Sequence, residues 1–209
     1  MKILYNDPHI VVCIKPVGIL SQADSSGSES MISALSNMYG CEIHPLHRLD
    51  KGVSGVMVYA KTKLAAATLS RDIAKHRLKK EYLAVVQGVP EESGEMVDLL
   101  FKDSKKNKSF VVKRARKGVK EAKLEYERLE TDGQKSLVQV LLHTGRTHQI
   151  RVQFSSRKMS LLGDKKYGST ADYENIALMS YRLTFEHPKT KEKMIFTADE
   201  QEFINTFMG

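Results

Sequence analysis

The sequence is poor in cysteine and has no long apolar run, and both absences narrow the classes of protein it could encode. Its two cysteines, Cys13 and Cys41, have neither a CxxC spacing nor the number of a disulfide framework, so we expect buried free thiols and no redox chemistry. No stretch approaches the roughly 18 apolar residues of a membrane span, and Met1–Leu4 runs directly into polar residues instead of a signal-peptide core. We therefore expect a cytoplasmic protein with no membrane partner.

The length and composition favour one globular domain. The chain has 209 residues, of which 41% are hydrophobic, enough for one substantial core and few for two full domains. No internal repeat, low-complexity tract or clear linker interrupts it. We therefore predict a single domain over residues 1–209, with a monomer as the default state.

Short β-branched runs and alternating segments predict the strands. These are Ile10–Ile14, Val53–Ala60, Tyr82–Val86, Ala122–Leu129, Leu137–Leu142, Ser180–Phe185 and Lys193–Thr197. Helices are predicted over Met31–Tyr39 after Ser30 as N-cap, from Thr62 as N-cap to Leu78, and from Asp199 as N-cap through Phe207. Ser21–Glu29 is rich in Ser and is expected to be a loop. This order of elements predicts an α/β (α+β) fold with a mixed, largely antiparallel sheet flanked by helices and loops.

The positive charge of the chain is concentrated in one segment. The formal net charge is +8, and the basic strip Lys102–Lys120 carries nine basic residues against one acid, Asp103, which accounts for all of it. One interpretation is a solvated loop without a role, and the other is a surface that contacts RNA phosphates without reading sequence. The candidate phosphate-binding residues within it are Lys105, Lys106, Lys108 and Arg114.

Two segments, His44–Gly55 and His143–Arg151, are dense in side chains that can carry chemistry. The first could be a turn before a strand, with Asp50 as a local hydrogen-bonding cap. The second could be a phosphate-binding loop, because Arg146 and several of its neighbours are hydrogen-bond donors. Each segment alone leaves its role open.

A metal site is an alternative for the first segment. His44, His47 and Asp50 follow one another at intervals of three residues, a spacing that could suggest a shared ion. No Glu or Cys completes a zincin-like motif, and the segment is not clearly helical. We therefore predict no metal and keep a chelator-sensitive ribonuclease as a minor hypothesis.

Taken together, the two segments resemble a known family. The string HRLDKGVSGVMVYAKT is similar to the central motif of RluA-type RNA pseudouridine synthases, and HTGRTHQIRV is similar to their later arginine-containing motif. Three further segments resemble the same family. Ile3–Gln22 is similar to the family's opening strand and KP.G turn, Lys80–Tyr82 to its K-x-Y motif, and Leu162–Gly168 to its GD..YG segment. These five motifs stand in the expected order and cover essentially the whole chain.

The resemblance implies roles for the matching residues. Asp50 would be the catalytic aspartate, and Arg151 would be the arginine that pairs with it. Tyr82 would pack on the target uracil. The implied substrate-binding residues are Arg48, which would help to displace the target base, and His47, Arg146 and Val152.

The chain departs from the commonest family pattern in two respects. Lys51-Gly52-Val53 lacks the threonine that many members carry before Ser-Gly, and we expect this change to affect support of the loop. The pattern begins at Ile3, which leaves no room for the small S4-like amino-terminal RNA-binding domain of many relatives. We therefore expect substrate selection to reside in the catalytic domain.

The implied reaction needs no cofactor. It breaks the N1 glycosidic bond of a uridine, rotates the uracil and re-bonds it through C5, without redox change or net addition of atoms. A carboxylate could attack C1′ or promote loss of the C2′ proton, and pairing with Arg151 would keep Asp50 charged in a partly dry pocket. We expect ribosomal or transfer RNA as the partner, and an RNA-binding protein of the same fold without turnover is the alternative.

Overall fold

A computed structural model describes residues 1–23 and 29–209 of the chain. Part of the predicted loop Ser21–Glu29 lies outside the described residues. The described residues form strands, α-helices and one 3-10 turn, which are β1 (Lys2–Asn6), β2 (Ile10–Lys15), α1 (Met31–Tyr39), β3 (His44–Pro45), β4 (Ser54–Ala60), α2 (Lys63–Ala74), β5 (Lys79–Gln87), β6 (Ser93–Asp103), β7 (Lys108–Val112), β8 (Val119–Thr131), β9 (Lys135–Leu142), α3 (Gln149–Ser156), the 3-10 turn (Lys165–Tyr167), β10 (Leu178–Glu186), β11 (Lys193–Thr197) and α4 (Gln201–Phe207).

The mixed α/β fold and the predicted strands are confirmed. Helix α1 spans the predicted residues, and the hydroxyl of its N-cap Ser30 accepts from the N–H of Ser33 at 3.2 Å. Thr62 caps α2 in the same way, accepting from the N–H of Ala65 at 3.2 Å. These caps satisfy backbone donors that the first turn of a helix leaves unpaired, which is why they mark helix starts in a sequence.

Two helix boundaries differ from the prediction. Helix α2 ends at Ala74, so the buried Leu78 lies beyond it instead of extending its apolar face. Helix α4 begins at Gln201 with Glu200 at the N-cap position, one residue later than the predicted Asp199, and within the described part of the chain the side chain of Glu200 makes no capping hydrogen bond.

The sequence does not predict α3, because much of what this helix buries is polar. Gln149, Arg151 and Gln153 are at most 5% exposed. The side-chain amide of Gln153 donates to Oδ2 of Asp98 at 2.7 Å and to the carbonyl of Met96 at 3.1 Å. Hydrogen bonds from the Gln153 amide therefore anchor the buried polar face of this helix, although Oε1 of Gln153 is buried without a partner among the described residues, and no apolar periodicity marks the helix.

The structure forms two compact units, Met1–Lys80 with Ser180–Asp199, and Glu81–Met179 with Glu200–Gly209. In the first unit the strand order is β1-β2-β4-β10, with β3 beside β4 and β11 beside β10. Strand β2 pairs antiparallel with both β1 and β4, and β10 pairs antiparallel with β11. Ile10–Cys13 and Val56–Ala60 are fully buried and form the centre of this unit.

In the second unit the strand order is β5-β9-β8-β6-β7, and β6 pairs antiparallel with β7 and β8. A register shift between Arg128 and Glu130 in β8 interrupts the alternation of that strand and leaves Leu129 exposed. The sequence does not predict β6 or β7, and the basic strip Lys102–Lys120 spans the end of β6, all of β7 and the start of β8. The strip is therefore not one continuous loop, because Lys102, Lys108 and Lys120 lie on strands. Whether it has a role stays open. That residues 1–209 form a single domain remains a prediction.

Among the described residues, no helix combines the length and apolar character that crossing a lipid bilayer requires.

A close backbone approach in the first unit should make Gly55 irreplaceable. A Cβ at Gly55 would lie 2.1 Å from the carbonyl oxygen of Ser180, and its φ of 122° already disfavours any other residue. We expect Gly55→Ala to lower the free energy of unfolding by about 3 kcal/mol or more, measured by urea denaturation. Gly133→Ala is the matched control, because its φ is 88° with open space around it, and it should cost about 1 kcal/mol. Equal losses for the two variants would show that the approach to Ser180 is unimportant.

Candidate active site

Asp50 opens a tight turn that leads into β4. Its carbonyl accepts from the N–H of Val53 at 3.0 Å. At the preceding residue, the N–H of Leu49 donates to the hydroxyl of Ser21 at 2.9 Å, and the carbonyl of Leu49 accepts from the same hydroxyl at 2.9 Å. Asp50 itself is partly exposed. The residue is therefore fixed through the backbone on both sides while remaining open to solvent in part.

A buried lysine supports the other side of this turn. The ammonium group of Lys15 donates to the carbonyls of Pro16 at 2.8 Å, Ile19 at 2.7 Å and Lys51 at 3.3 Å, and its side chain is fully buried. The carbonyl of Lys51 also accepts from the N–H of Gly18 at 2.9 Å. Burial lowers the pKa of Lys15 to about 8, and the negative charge of Asp50 opposes that decrease. Lys15 thus joins the turn after β2 to the residue that follows Asp50.

His47 packs against β4 through its ring. Nε2 accepts from the backbone N–H of Val58 at 3.3 Å, so the neutral tautomer carries its proton on Nδ1. Burial lowers the pKa of His47 to about 3, and the charge of Lys80 adds to the decrease. His47 is therefore neutral at physiological pH and braces the segment that carries Asp50.

Arg48 follows His47 in the chain, two residues before Asp50, and is exposed.

The structure gives no support to the alternative of a metal site at His44, His47 and Asp50. Within residues 1–23 and 29–209, no group of three His, Cys, Asp or Glu side chains is arranged to hold a metal ion.

The second motif forms a braced loop at the start of α3. The hydroxyl of Thr144 accepts from the N–H of Lys123 at 2.8 Å and donates to Oε1 of Gln149 at 2.8 Å. Gln149 in turn donates to the carbonyl of Lys123 at 3.1 Å. His148 occupies the N-cap position with a φ of 54°, which lets the chain turn into the helix. Hydrogen bonds to Lys123 therefore join this loop to β8 next to α3, the helix that carries Arg151.

Arg151 forms a buried ion pair with Asp164. Its Nε donates to Oδ2 at 2.6 Å and its Nη2 donates to Oδ1 at 2.9 Å, and the two residues are 5% and 1% exposed. This two-point geometry fixes the plane of the guanidinium group. The ring of Tyr167 lies against it, with its centroid 5.0 Å from Cζ.

The other predicted residues of the second unit occupy different settings. Tyr82 lies on β5 and is 6% exposed, a burial that suits a core tyrosine as well as a stacking surface. Val152 is 4% exposed in a cluster with Leu100 and Ala122, where it serves packing. Nε of Arg146 donates to the carbonyl of Glu121 at 2.7 Å.

The basic strip presents most of its charge to solvent. The exposed basic residues are Lys102, Lys105, Lys106, Lys113, Arg114, Arg116, Lys117 and Lys120, and Lys108 is partly buried. The turn between β6 and β7 carries two of them, and Oδ1 of Asp103 accepts from the N–H of Lys106 at 3.0 Å to stabilise it. This display of positive side chains suits a polyanion.

The predicted site residues are divided between the two compact units, and further residues that support them became apparent only in the structure. Arg48 and Asp50 belong to the first unit, and Tyr82 and Arg151 belong to the second, so their pairing stays a prediction. Sequence reasoning missed the supporting residues Lys15, Asp164 and Tyr167. All three lie in quoted motifs, the KP.G turn and the GD..YG segment, and the motifs were the signal that could have found them.

Comparison with known proteins identifies the class to which this fold and these motifs belong. The RNA pseudouridylate synthase family model matches residues 9–156, so the chain belongs to that family. It is similar to ribosomal large subunit pseudouridine synthase C of Buchnera aphidicola, with 30% identity over 99% of this chain and 71% of the relative. It is also similar to tRNA pseudouridine synthase C of Haemophilus influenzae, with 30% identity over 99% of this chain and 98% of the relative.

A solved structure shares the fold. Human RNA pseudouridylate synthase domain containing 4 superposes with a TM-score of 0.81, covering 99% of this chain and 92% of the human chain at 22% identity. At that identity the likeness concerns the fold alone.

Removing the buried ammonium group should weaken the Asp50 turn. We expect Lys15→Met to lower the free energy of unfolding by about 2 kcal/mol, because the carbonyls of Pro16 and Ile19 would lose the ammonium donor in a partly buried region. Urea denaturation at neutral pH measures the change. Lys63→Met replaces an exposed lysine on α2 and should be nearly neutral. If both variants unfold alike, the carbonyl cluster does not stabilise the turn.

Proposed function

We propose that this chain converts uridines in structured RNA to pseudouridine, with Asp50 as the catalytic carboxylate. The observation that carries the proposal is the setting of Asp50. It stands in the family's central motif, on a turn braced by Ser21 and Lys15, and it is partly exposed.

The chemistry proposed for Asp50 follows from the bonds that must change. The carboxylate either attacks C1′ of the ribose or promotes loss of the C2′ proton, and in both cases the N1 glycosidic bond breaks and the uracil is released within the site. The uracil then rotates and bonds to C1′ through C5; on the first route this breaks the bond between C1′ and Asp50, and on the second route the C2′ carbon regains its proton. The C5 proton leaves and N1 gains a proton, so the product is an isomer of the substrate. The proposed partner of the carboxylate is Arg151, whose fixed guanidinium plane would favour the charged form of Asp50.

The target base must leave its stack before this chemistry can occur, which costs a few kcal/mol. We propose that the exposed Arg48 helps to displace it and that Tyr82 offers an aromatic face to the uracil, a contact worth about 1 to 3 kcal/mol. The tyrosine hydroxyl is a candidate for assisting loss of the C5 proton.

Ribosomal and transfer RNA are the proposed substrate classes, because the relatives named above are named for them. We also propose that the two units act as one catalytic domain, since the family match at residues 9–156 includes parts of both units. A monomer located in the cytoplasm remains part of the proposal. His47, Arg146 and Val152 keep their proposed place near the substrate, with His47 and Arg146 acting through the loops that they brace.

The catalytic assignment predicts that Asp50→Asn abolishes turnover while leaving RNA binding intact. Asparagine keeps the size of the side chain and removes the charge on which either route depends. Release of tritium from C5-labelled uridine in cellular RNA measures turnover, and filter binding measures affinity. Asp132→Asn, at an exposed turn between β8 and β9, is the matched control and should keep the full rate. A full rate in Asp50→Asn would remove Asp50 from the chemistry, whereas tight binding without release in the wild type would favour the inactive RNA-binding alternative.

The phosphate-binding role of the basic strip predicts a change in salt dependence. Replacing Lys105, Lys106 and Arg114 together with Gln should weaken binding to every RNA tested, and it should reduce the slope of log K against log salt by about 2 to 3. The control replaces three exposed lysines outside the strip, Lys63, Lys75 and Lys189. An unchanged slope in the strip variant would show that the strip does not contact phosphate.

A further inference from the structure

Tyr167 is fixed at both ends in the second unit. Its side chain is 5% exposed, and its hydroxyl accepts from the N–H of Ser109 on β7 at 2.8 Å and lies 2.9 Å from Nδ1 of His148. Its carbonyl accepts from the hydroxyls of Ser155 at 2.6 Å and Ser160 at 2.7 Å. Neither the ring nor the backbone of Tyr167 can shift without breaking buried hydrogen bonds.

The ring of Tyr167 lies against two cations from different elements. Cζ of Arg151 on α3 is 5.0 Å from the ring centroid, and Nζ of Lys108 on β7 is 4.9 Å from it. The ring face attracts both charges, more strongly where they are desolvated. Lys108 also donates to the carbonyl of Lys166 at 2.5 Å, which holds its ammonium group at the 3-10 turn.

The same turn positions the carboxylate that holds Arg151. The N–H of Tyr167 donates to the carbonyl of Asp164 at 3.0 Å, so the tyrosine and the aspartate belong to the same hydrogen-bonded turn. Gly163 makes this turn possible, because a Cβ there would lie 2.1 Å from the carbonyl oxygen of Asn175. Asp164 fixes the guanidinium group by two hydrogen bonds, and Tyr167 fixes it through its ring face.

We propose that Tyr167 is a positioning residue that acts through Arg151 and links this arginine to β7, the strand of the basic strip. The inference rests on the proposed function, because it assumes that Arg151 takes part in catalysis. The hydroxyl and the contact with Lys108 link the ring to β7, and the same ring contacts the guanidinium group of Arg151.

The test separates the rate of conversion from RNA affinity. Single-turnover tritium release gives the rate constant, and filter binding gives Kd. We expect Tyr167→Phe to lower the rate constant about 10-fold and Tyr167→Leu about 100-fold, since small misplacements of a catalytic group have effects of this size. Kd should change less than about twofold, because each variant keeps the exposed charges of the basic strip.

A matched variant controls for loss of a tyrosine hydroxyl near α3. Tyr126 packs on Phe154 of the same helix, with ring centroids 5.4 Å apart, and Tyr126→Phe should keep the wild-type rate. Rates are measured well below the unfolding temperature of each variant. If cooling restores the wild-type rate to Tyr167→Phe, its effect is one of stability and the inference is overturned.

A double-mutant cycle with Arg151→Lys tests whether Tyr167 acts through the arginine. We expect Tyr167→Phe to reduce the rate less than about twofold in that background, and equal reductions in both backgrounds would overturn the inference. If Arg151→Lys has no measurable rate, hydrogen exchange at Nε–H of Arg151, followed by NMR, decides. It should accelerate about 10-fold in Tyr167→Phe, a change in local opening of about 1.4 kcal/mol, and unchanged exchange would overturn the inference.

Failure of the proposed function gives a different pattern. Absence of tritium release by the wild type, or a full rate in Arg151→Lys, would contradict the role of Arg151 itself. A slow Arg151→Lys variant together with a full-rate Tyr167→Phe variant would overturn only the inference about Tyr167.

Discussion

The buried ion pair between Arg151 and Asp164 is the interaction on which the second unit's part of the site depends. Two charges that are 5% and 1% exposed are stable there only because their hydrogen bonds are made, and removing one partner of such a pair typically costs about 3 to 5 kcal/mol. The pair joins α3 to the turn before the 3-10 segment. The arginine is therefore oriented before any RNA arrives, which is the condition for an effective electrostatic partner.

In the first unit, the segment that carries Asp50 is held in place through its backbone. Support acts on the backbone beside Asp50 through Ser21, Lys15 and the turn to Val53. A fixed backbone with a partly exposed side chain leaves the carboxylate accessible to a substrate. Each unit thus places a charged group on rigid supports, and the exposed basic strip is the proposed electrostatic surface for RNA.

The sequence predicted the parts of this fold that depend on local chemistry. Ser30 and Thr62 mark the starts of α1 and α2 because their hydroxyls bond to the first turn, and Ile10–Ile14 is readable as a strand because it is short, β-branched and buried. Helix α3 was not predictable, since Gln149 and Gln153 are buried polar residues whose hydrogen bonds are made to carbonyls on strands distant in the sequence. The candidate catalytic residues came from motif resemblance. The roles of Lys15 and Tyr167 depend on carbonyls and cations brought together only by folding.

The most direct test of the account is a nucleoside balance on RNA treated with the wild-type protein. Complete digestion and liquid chromatography with mass spectrometry would quantify uridine and pseudouridine, which have equal mass and separate on the column. If the chain is a pseudouridine synthase, each mole of uridine lost should appear as one mole of pseudouridine in RNA of unchanged length, with or without a chelator. Shortened RNA without pseudouridine would contradict this account and would favour a ribonuclease.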